Sequence, residues 1–210
     1  MSYLYPQIKI LLFTKPPVTG QCKTRLIPAL GKEGAATLQQ KLLHKIIQDL
    51  LDFKLCPFEV WQSDDSDYFS QLNFADELNV KTQSGDELGA RMANAFKDNL
   101  AGNKKVIIIG SDCVEYTRAY LANAITALLD NEVVIGPAHD GGYLLIGMSK
   151  FQPIIFDNIE WGTDNVLEST LQKLKKANVT YSQLNTLHDI DRPEDLAYLN
   201  QVAPELLSNN

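Results

Sequence analysis

The sequence predicts an α/β protein with a Rossmann-like, three-layer α/β/α fold around a mixed, mainly parallel central sheet, and three observations lead there. Short apolar runs rich in β-branched residues alternate with longer stretches of helical period, the pattern of βαβ units. The run Val106-Ile107-Ile108-Ile109 is continuously apolar, as suits a strand covered on both faces. Two further runs, at 133–137 and 143–148, are separated only by Ala138-His139-Asp140-Gly141-Gly142. That is too short for a helical crossover, so the chain must turn back and pair antiparallel.

Taken in order, strands are expected at 8–14, 56–62, 80–83, 106–110, 133–136, 143–147 and 179–183. A long amphipathic helix is expected at 32–53, because Leu38, Leu42, Leu43, Ile46, Ile47, Leu50 and Leu51 form one stripe at helical spacing. Further helices are expected at 65–78, 86–100, 117–129, 165–177 and 193–202. Asp86 and Thr117 suit N-caps there, and Pro193 suits a first turn. No repeat, low-complexity segment or linker divides the 210 residues, so one domain spanning 1–210 is expected.

Composition narrows the function. With a formal net charge of −7, the overall field repels a polyphosphate backbone, so nucleic acid is not an expected partner and any phosphate ligand needs a local cluster of cations. Cys22, Cys56 and Cys113 are scattered, with no Cys-x-x-Cys pair, and read as reduced thiols of a cytoplasmic protein. The apolar run Ile10-Leu11-Leu12-Phe13 is too short to cross a bilayer, and residues 1–9 lack a basic segment followed by an apolar stretch, so secretion is not expected. Membrane insertion is not expected; a homodimer is among the assemblies the sequence admits.

Four segments carry the candidate chemistry. The loop after the first strand holds Lys15, Gly20, Lys23, Thr24 and Arg25, a local concentration of cations and backbone donors of the kind a diphosphate requires. It is neither a Walker A nor a G-x-G-x-x-G loop; as a bare sequence it also reads as a solvated basic loop. The apolar fourth strand ends in Ser111-Asp112-Cys113, where Asp112 either ligates Mg²⁺ or Mn²⁺ or caps the next helix. In the hairpin, Asp140 either serves as a base or sugar-hydroxyl ligand, with Gly141 and Gly142 letting backbone approach the substrate, or is simply part of an Asp-Gly turn. Near the end, Asp189 and Asp191 alternate along an extended segment, pointing to one side, as a second metal or water ligand; Asp191 alternatively caps the last helix. Two weaker features are Gly85 with Arg91, at a helix start where a nucleotide can approach, and Trp161, which either stacks on a sugar or packs the core. Gly89 in that helix suits close packing.

In this order, Lys23-Thr24-Arg25-Leu26, residues 83–92, Gly110-Ser111-Asp112-Cys113, Asp140-Gly141-Gly142-Tyr143, and Asp189-Ile190-Asp191 followed by Pro193-Glu194-Asp195-Leu196 resemble a bacterial glycosyltransferase-like group. It is related to arsenosugar-biosynthesis glycosyltransferases, within the nucleotide-diphospho-sugar transferase superfamily of GT-A fold, and the likeness runs over about 8–199. The layout is also similar to that of guanylyltransferase-like nucleotidyltransferases. The resemblance implies a transferase using a nucleotide-sugar or nucleoside triphosphate, a small-molecule acceptor and Mg²⁺ or Mn²⁺. Lys15, Lys23 and Arg25 would take the phosphates, Asp112 the metal, and Asp140 and Asp191 the acceptor or second-metal side. A pyrophosphate-releasing nucleotidyltransferase and a noncatalytic nucleotide-sugar-binding protein are the rival readings. The chain departs from the group's pattern with Val114-Glu115 in place of a Pro after Ser-Asp-Cys, with Arg192 for Thr, and with Gly162 for Ser; it also lacks a full Asp-x-Asp at residues 111–113.

Overall fold

The computed structural model describes residues 2–73, 75–101 and 105–208. Its strands are β1 (Ile8–Thr14), β2 (Phe58–Gln62), β3 (Val80–Thr82), β4 (Lys105–Gly110), β5 (Val133–Pro137), β6 (Tyr143–Met148) and β7 (Tyr181–Gln183). The helices are α1 (Ile27–Phe53), α2 (Leu88–Asn99), α3 (Arg118–Asp130), α4 (Val166–Lys176) and α5 (Asp195–Val202). The strands form one sheet in the order β3-β2-β1-β4-β6-β5-β7. Only β6 runs against its neighbours, pairing antiparallel with both β4 and β5. The five residues between β5 and β6 close the hairpin through Ala138 N–H donating to Gly142 O at 3.0 Å.

Alternation along the central strands assigns the layers. Ile10, Leu12, Ile107 and Ile109 face Leu43, Ile46 and Ile47 of α1 and Leu121, Ile125 and Leu128 of α3. Leu11, Phe13, Val106 and Ile108 face Met92, Ala95 and Phe96 of α2 and Leu174 of α4. The continuously apolar β4 therefore follows from helices on both faces. A smaller cluster joins Leu38 and Leu42 of α1 to Leu199 and Leu206, which fastens α5 to the rim of the sheet. Among the described residues no helix is long and apolar enough to cross a membrane.

Three helical expectations are corrected. Over 65–78 the chain makes two 3₁₀ turns, Phe69–Gln71 and Ala75–Glu77; Phe74, inside that expected helix, lies outside the described residues. The Ser/Asp-rich start spends its polar groups locally, with Tyr68 N–H donating to Ser66 Oγ and Ser70 Oγ to Asp67 O, the competition that disfavours a helix. Asp86 does not cap α2, which starts one residue later after an extended Glu87. The last helix begins at Asp195 rather than Pro193, and Asp195, not Asp191, accepts the Asp191 and Arg192 N–H groups at 3.0 and 2.6 Å. Elsewhere the expected Thr117 cap is present, accepting Tyr120 N–H at 3.1 Å, and α1 is regular only after Gly31, whose φ of +71° marks a kink.

A charge cluster centred on a buried carboxylate braces β1, β2 and β3. The Glu59 side chain, 6% exposed, meets Lys9 Nζ at 2.7 Å and Lys81 Nζ at 3.3 Å, and accepts from Trp61 Nε1 and Asn79 Nδ2. Burial pushes its pKa up, but Lys9 and the other donors outweigh burial and hold it below the usual value. A carboxyl with a lowered folded-state pKa contributes stability that is present above the unfolded value, 4.5, and is lost as pH falls through the folded one. Glu59→Gln is therefore expected to lower the unfolding free energy at pH 7 by about 2–4 kcal/mol, chiefly because it strands Lys9, whose side chain is 16% exposed. The difference from wild type should shrink towards pH 3 in urea titrations; a loss independent of pH would show that charge is not its source.

Candidate functional site

The order of the sheet puts the site at the carboxyl ends of β1 and β4, adjacent parallel strands from which the strand order runs in opposite directions, β1 leading on to β2 and β4 to β5. Thr14 ends β1 and Ser111 follows β4, and their hydroxyls lie 3.0 Å apart. Gln39 of α1, 2% exposed, directs its amide at Thr14 Oγ1, Ser111 Oγ and Lys15 O at 3.2–3.3 Å. A polar side chain buried in a helix's apolar stripe requires such partners, and here it locks both strand ends to α1. The sequence signal was a Gln adjoining Leu38 of the 38–51 stripe, with Gln40 and Gln48 in the same span, which periodicity alone discounts.

The loop after β1 leaves the sheet and returns. Gly20 takes φ +79°, and Gln21 N–H donates to Val18 O at 2.9 Å; this brings Cys22 and Lys23 back against the strand ends. Lys23 adopts a left-handed conformation (φ 47°, ψ 40°), unfavourable for a residue with a Cβ by roughly 1–2 kcal/mol. Its ammonium group offsets that cost: it lies 2.8 Å from Asp112 Oδ1 and donates to Ile190 O, with its side chain only 2% exposed. Ile190 N–H in turn donates to Asp112 O at 2.7 Å. One lysine thus joins the β1 loop, the end of β4 and the segment that carries Asp189 and Asp191.

These groups surround a crevice of about 530 Å³. Lys15, Lys23, Thr24, Arg25, Arg91, Asp112 and Asp191 all line it; Gly20 and Gly85 do not. Gly85 instead turns the chain at φ +134° and accepts from Arg91 Nε at 3.0 Å, which aims that guanidinium. Arg25 pairs with Asp191, and that hydrogen bond raises the Arg25 pKa. Four cations thus face two carboxylates, and each carboxylate already has a partner, so the crevice is locally positive by two in a protein of net charge −7. Neither Lys15 nor Arg91 has a carboxylate partner among the described residues. The Asp112 side chain, 38% exposed, remains open on its cavity side. Cys22 also lines the crevice, and burial pushes its thiol pKa up, away from the thiolate form that a nucleophile requires.

A second cavity of about 170 Å³ adjoins the first across Leu88, which lines both. Asp140, Gly142 and Trp161 line this one, and so does Asp189. Asp189 and Asp191 therefore serve different cavities and do not point to one side: the segment is irregular, pinned at Ile190 on the Asp112 backbone and at Lys23. Burial first, then the charge of Asp140, pushes the Asp189 carboxyl up to about 6. Asp140 is exposed and accepts Gly142 N–H at 2.9 Å. Gly141 is not in the wall; at φ +87° it packs so closely on the loop before α4 that a Cβ would stand 2.1 Å from Asp164 O. Trp161 packs on Gly89 and against Phe156 and Tyr143, so it is both core and cavity wall.

The two carboxylate-bearing segments are tied by a ring stack that sequence reasoning missed. The His188 ring lies 3.9 Å from His139 and 3.8 Å from Tyr198, centroid to centroid, and Glu115 Oε2 accepts His188 N–H at 2.6 Å. The departure Val114-Glu115 thus supplies an anchor for the segment that precedes Asp189.

Strand order, hairpin and crevice together define the class: this is the nucleotide-diphospho-sugar transferase fold. Residues 42–163 match the family described as "uncharacterized protein conserved in bacteria" (DUF2064), and the chain belongs to that family. A crystal structure from Desulfovibrio desulfuricans G20, provisionally named a nucleotide-diphospho-sugar transferase, is similar at TM-score 0.84 and 29% identity, over 94% of this chain and 89% of that one. The inositol-1-phosphate CTP transferase of T. maritima is similar at TM-score 0.61 and 13% identity, over 96% and 95% of the two chains. Rv0371C of Mycobacterium tuberculosis H37Rv, solved in complex with manganese, is similar at TM-score 0.59 and 11% identity, over 94% and 100%. At these identities the last two share the fold. No curated protein matches the chain.

The cavity wall yields a direct test. A Cβ on Gly89 would stand 2.4 Å from Trp161 Nε1, so Gly89→Ala must push the indole from its place. It is expected to cost about 1–3 kcal/mol, read as a lower Tm together with altered tryptophan emission; an unchanged Tm would contradict this packing.

Proposed function

We propose that this chain is a nucleotide-dependent transferase, specifically a glycosyltransferase that takes a nucleotide-sugar donor and a small-molecule acceptor. The carrying observation is the first crevice: Lys15, Lys23, Arg25 and Arg91 converge beside Asp112 at the ends of β1 and β4. Cations held in a partly enclosed site favour a diphosphate and stabilise the charge that develops on it as it leaves. The motif order that resembles the arsenosugar-related glycosyltransferases and the name of the Desulfovibrio protein support the same reading.

In the proposed reaction, an acceptor hydroxyl oxygen forms a bond to the anomeric carbon of the donor sugar. The bond from that carbon to the diphosphate oxygen breaks, its electron pair leaves with the nucleoside diphosphate, and the hydroxyl proton passes to Asp140. Arg25, held by Asp191, and Arg91, held by the Gly85 carbonyl, orient the phosphates. Lys23 holds Asp112 in place. The donor set fits Mg²⁺ or Mn²⁺ in the manner of a phosphate-bridging ion, which uses one or two protein carboxylates and completes its shell with phosphate oxygens and water; no cluster of three ligating side chains exists among the described residues. Asp112 would hold the ion, with Asp191 as the second carboxylate on the same crevice, and the ion would supply further neutralisation of the leaving diphosphate. The three cysteines, all free and buried, fit a cytoplasmic setting.

The reading predicts that nucleoside diphosphates and their sugar conjugates raise Tm, by an amount equivalent to about 2.7 kcal/mol at 100 times Kd, and more so with Mn²⁺. Lys15→Ala, which removes an exposed cation without an ion-pair partner, is expected to weaken that binding about tenfold and leave the Tm of the free protein unchanged. Product analysis decides the chemistry: nucleoside diphosphate released from a nucleotide-sugar supports it. Pyrophosphate released from a triphosphate, with nucleotide-sugars inert, would replace it with nucleotidyl transfer.

A further inference from the structure

The second cavity differs from the first in charge. Among the described residues its ionisable wall groups, apart from the Tyr143 phenol, are Asp140 and Asp189, and no Lys, Arg or His lines it. The rest of the wall is largely apolar, with Met92, Tyr143, Leu144 and Trp161. Arg25 and Arg91 line the first crevice instead, beyond Leu88. A phosphate group in this cavity would face two carboxylates with no cation in the wall. Like charges about 5 Å apart at an effective dielectric constant near 20 repel enough to weaken binding on the order of 100-fold. Hydroxyl and amine groups are suited by the same wall, because carboxylates accept their hydrogens and aromatic rings cover the apolar face of a saturated ring.

We infer that the second cavity is the acceptor subsite, that it selects an unphosphorylated polyhydroxylated ring, neutral or amine-bearing, and that Asp189 is the residue that excludes phosphorylated ones. This rests on the proposal that the first crevice takes the nucleotide, and it deepens that proposal. Transfer of a nucleotidyl group to a phosphorylated substrate would need the opposite charge in this cavity. Asp189 is well placed for selection because its backbone is fixed from both sides, by the Ile190–Asp112 hydrogen bond and by the His188–Glu115 contact.

The test uses the full chain and two pairs of probes, glucosamine with glucosamine 6-phosphate and methyl glucoside with glucose 6-phosphate, in competition binding followed by ligand-observed NMR. Wild type is expected to bind each unphosphorylated member at least tenfold more tightly. Asp189→Asn should narrow that preference about tenfold and Asp189→Lys should reverse it; the neutral variant preserves the test if the charge reversal does not fold. Equal or tighter binding of the phosphorylated members, no binding of any probe at millimolar concentration, or an unchanged preference in the Asp189 variants would each overturn the inference. Thermal shift with nucleoside diphosphates, run in parallel, separates the two proposals. Nucleotide binding without sugar discrimination defeats the acceptor inference alone, whereas absence of nucleotide binding defeats the reading beneath it.

Discussion

The buried pair between Lys23 and Asp112 is the constraint on which the candidate site depends. An ammonium group with a side chain 2% exposed must be matched by an anion or by carbonyl oxygens, and Lys23 has both in Asp112 Oδ1 and Ile190 O. That single requirement fixes three pieces of chain remote in sequence, at residues 23, 112 and 190. It also explains why a non-glycine residue holds a left-handed backbone there. Gln39 performs the corresponding task one layer inward, where neutral hydrogen bonds tie Thr14 and Ser111 together.

The electrostatics of the two cavities then follow from which residues each element delivers. The first crevice receives the returning loop and the start of α2, and so gathers cations. The second receives the β5–β6 turn and the chain before α5, each of which brings an aspartate. A net charge of −7 describes neither. Local sign, set by topology, separates a cationic crevice from an anionic neighbour.

Much of the fold was legible in the sequence because its strongest signals are long apolar runs. The bounds of β1 agree with the expected 8–14, the five-residue gap fixed the antiparallel β6, and the α1 stripe located the longest helix. The stretch 65–78 departs from the expected helix because Ser66 and Asp67 capture nearby backbone and hydroxyl groups. In the site, the first-loop cations and Asp112 were visible as a cluster confined to a strand end. Gln39 was not, since a buried amide resembles a solvent-facing one until its partners are known. Nor was the division between Asp189 and Asp191: period-two alternation describes a free strand, and this segment is bent by hydrogen bonds to residues 23 and 112.

Leu88, 49% exposed at the first position of α2, is the shared wall of the two cavities. Its side chain is exposed at the junction between a cationic and an anionic compartment. A molecule reaching across that junction covers it and expels the solvent from the strip where the two compartments meet. On the proposed reading the sill would be driest with both sides filled, and water, the commonest competing nucleophile, would be least welcome at the moment both partners are present.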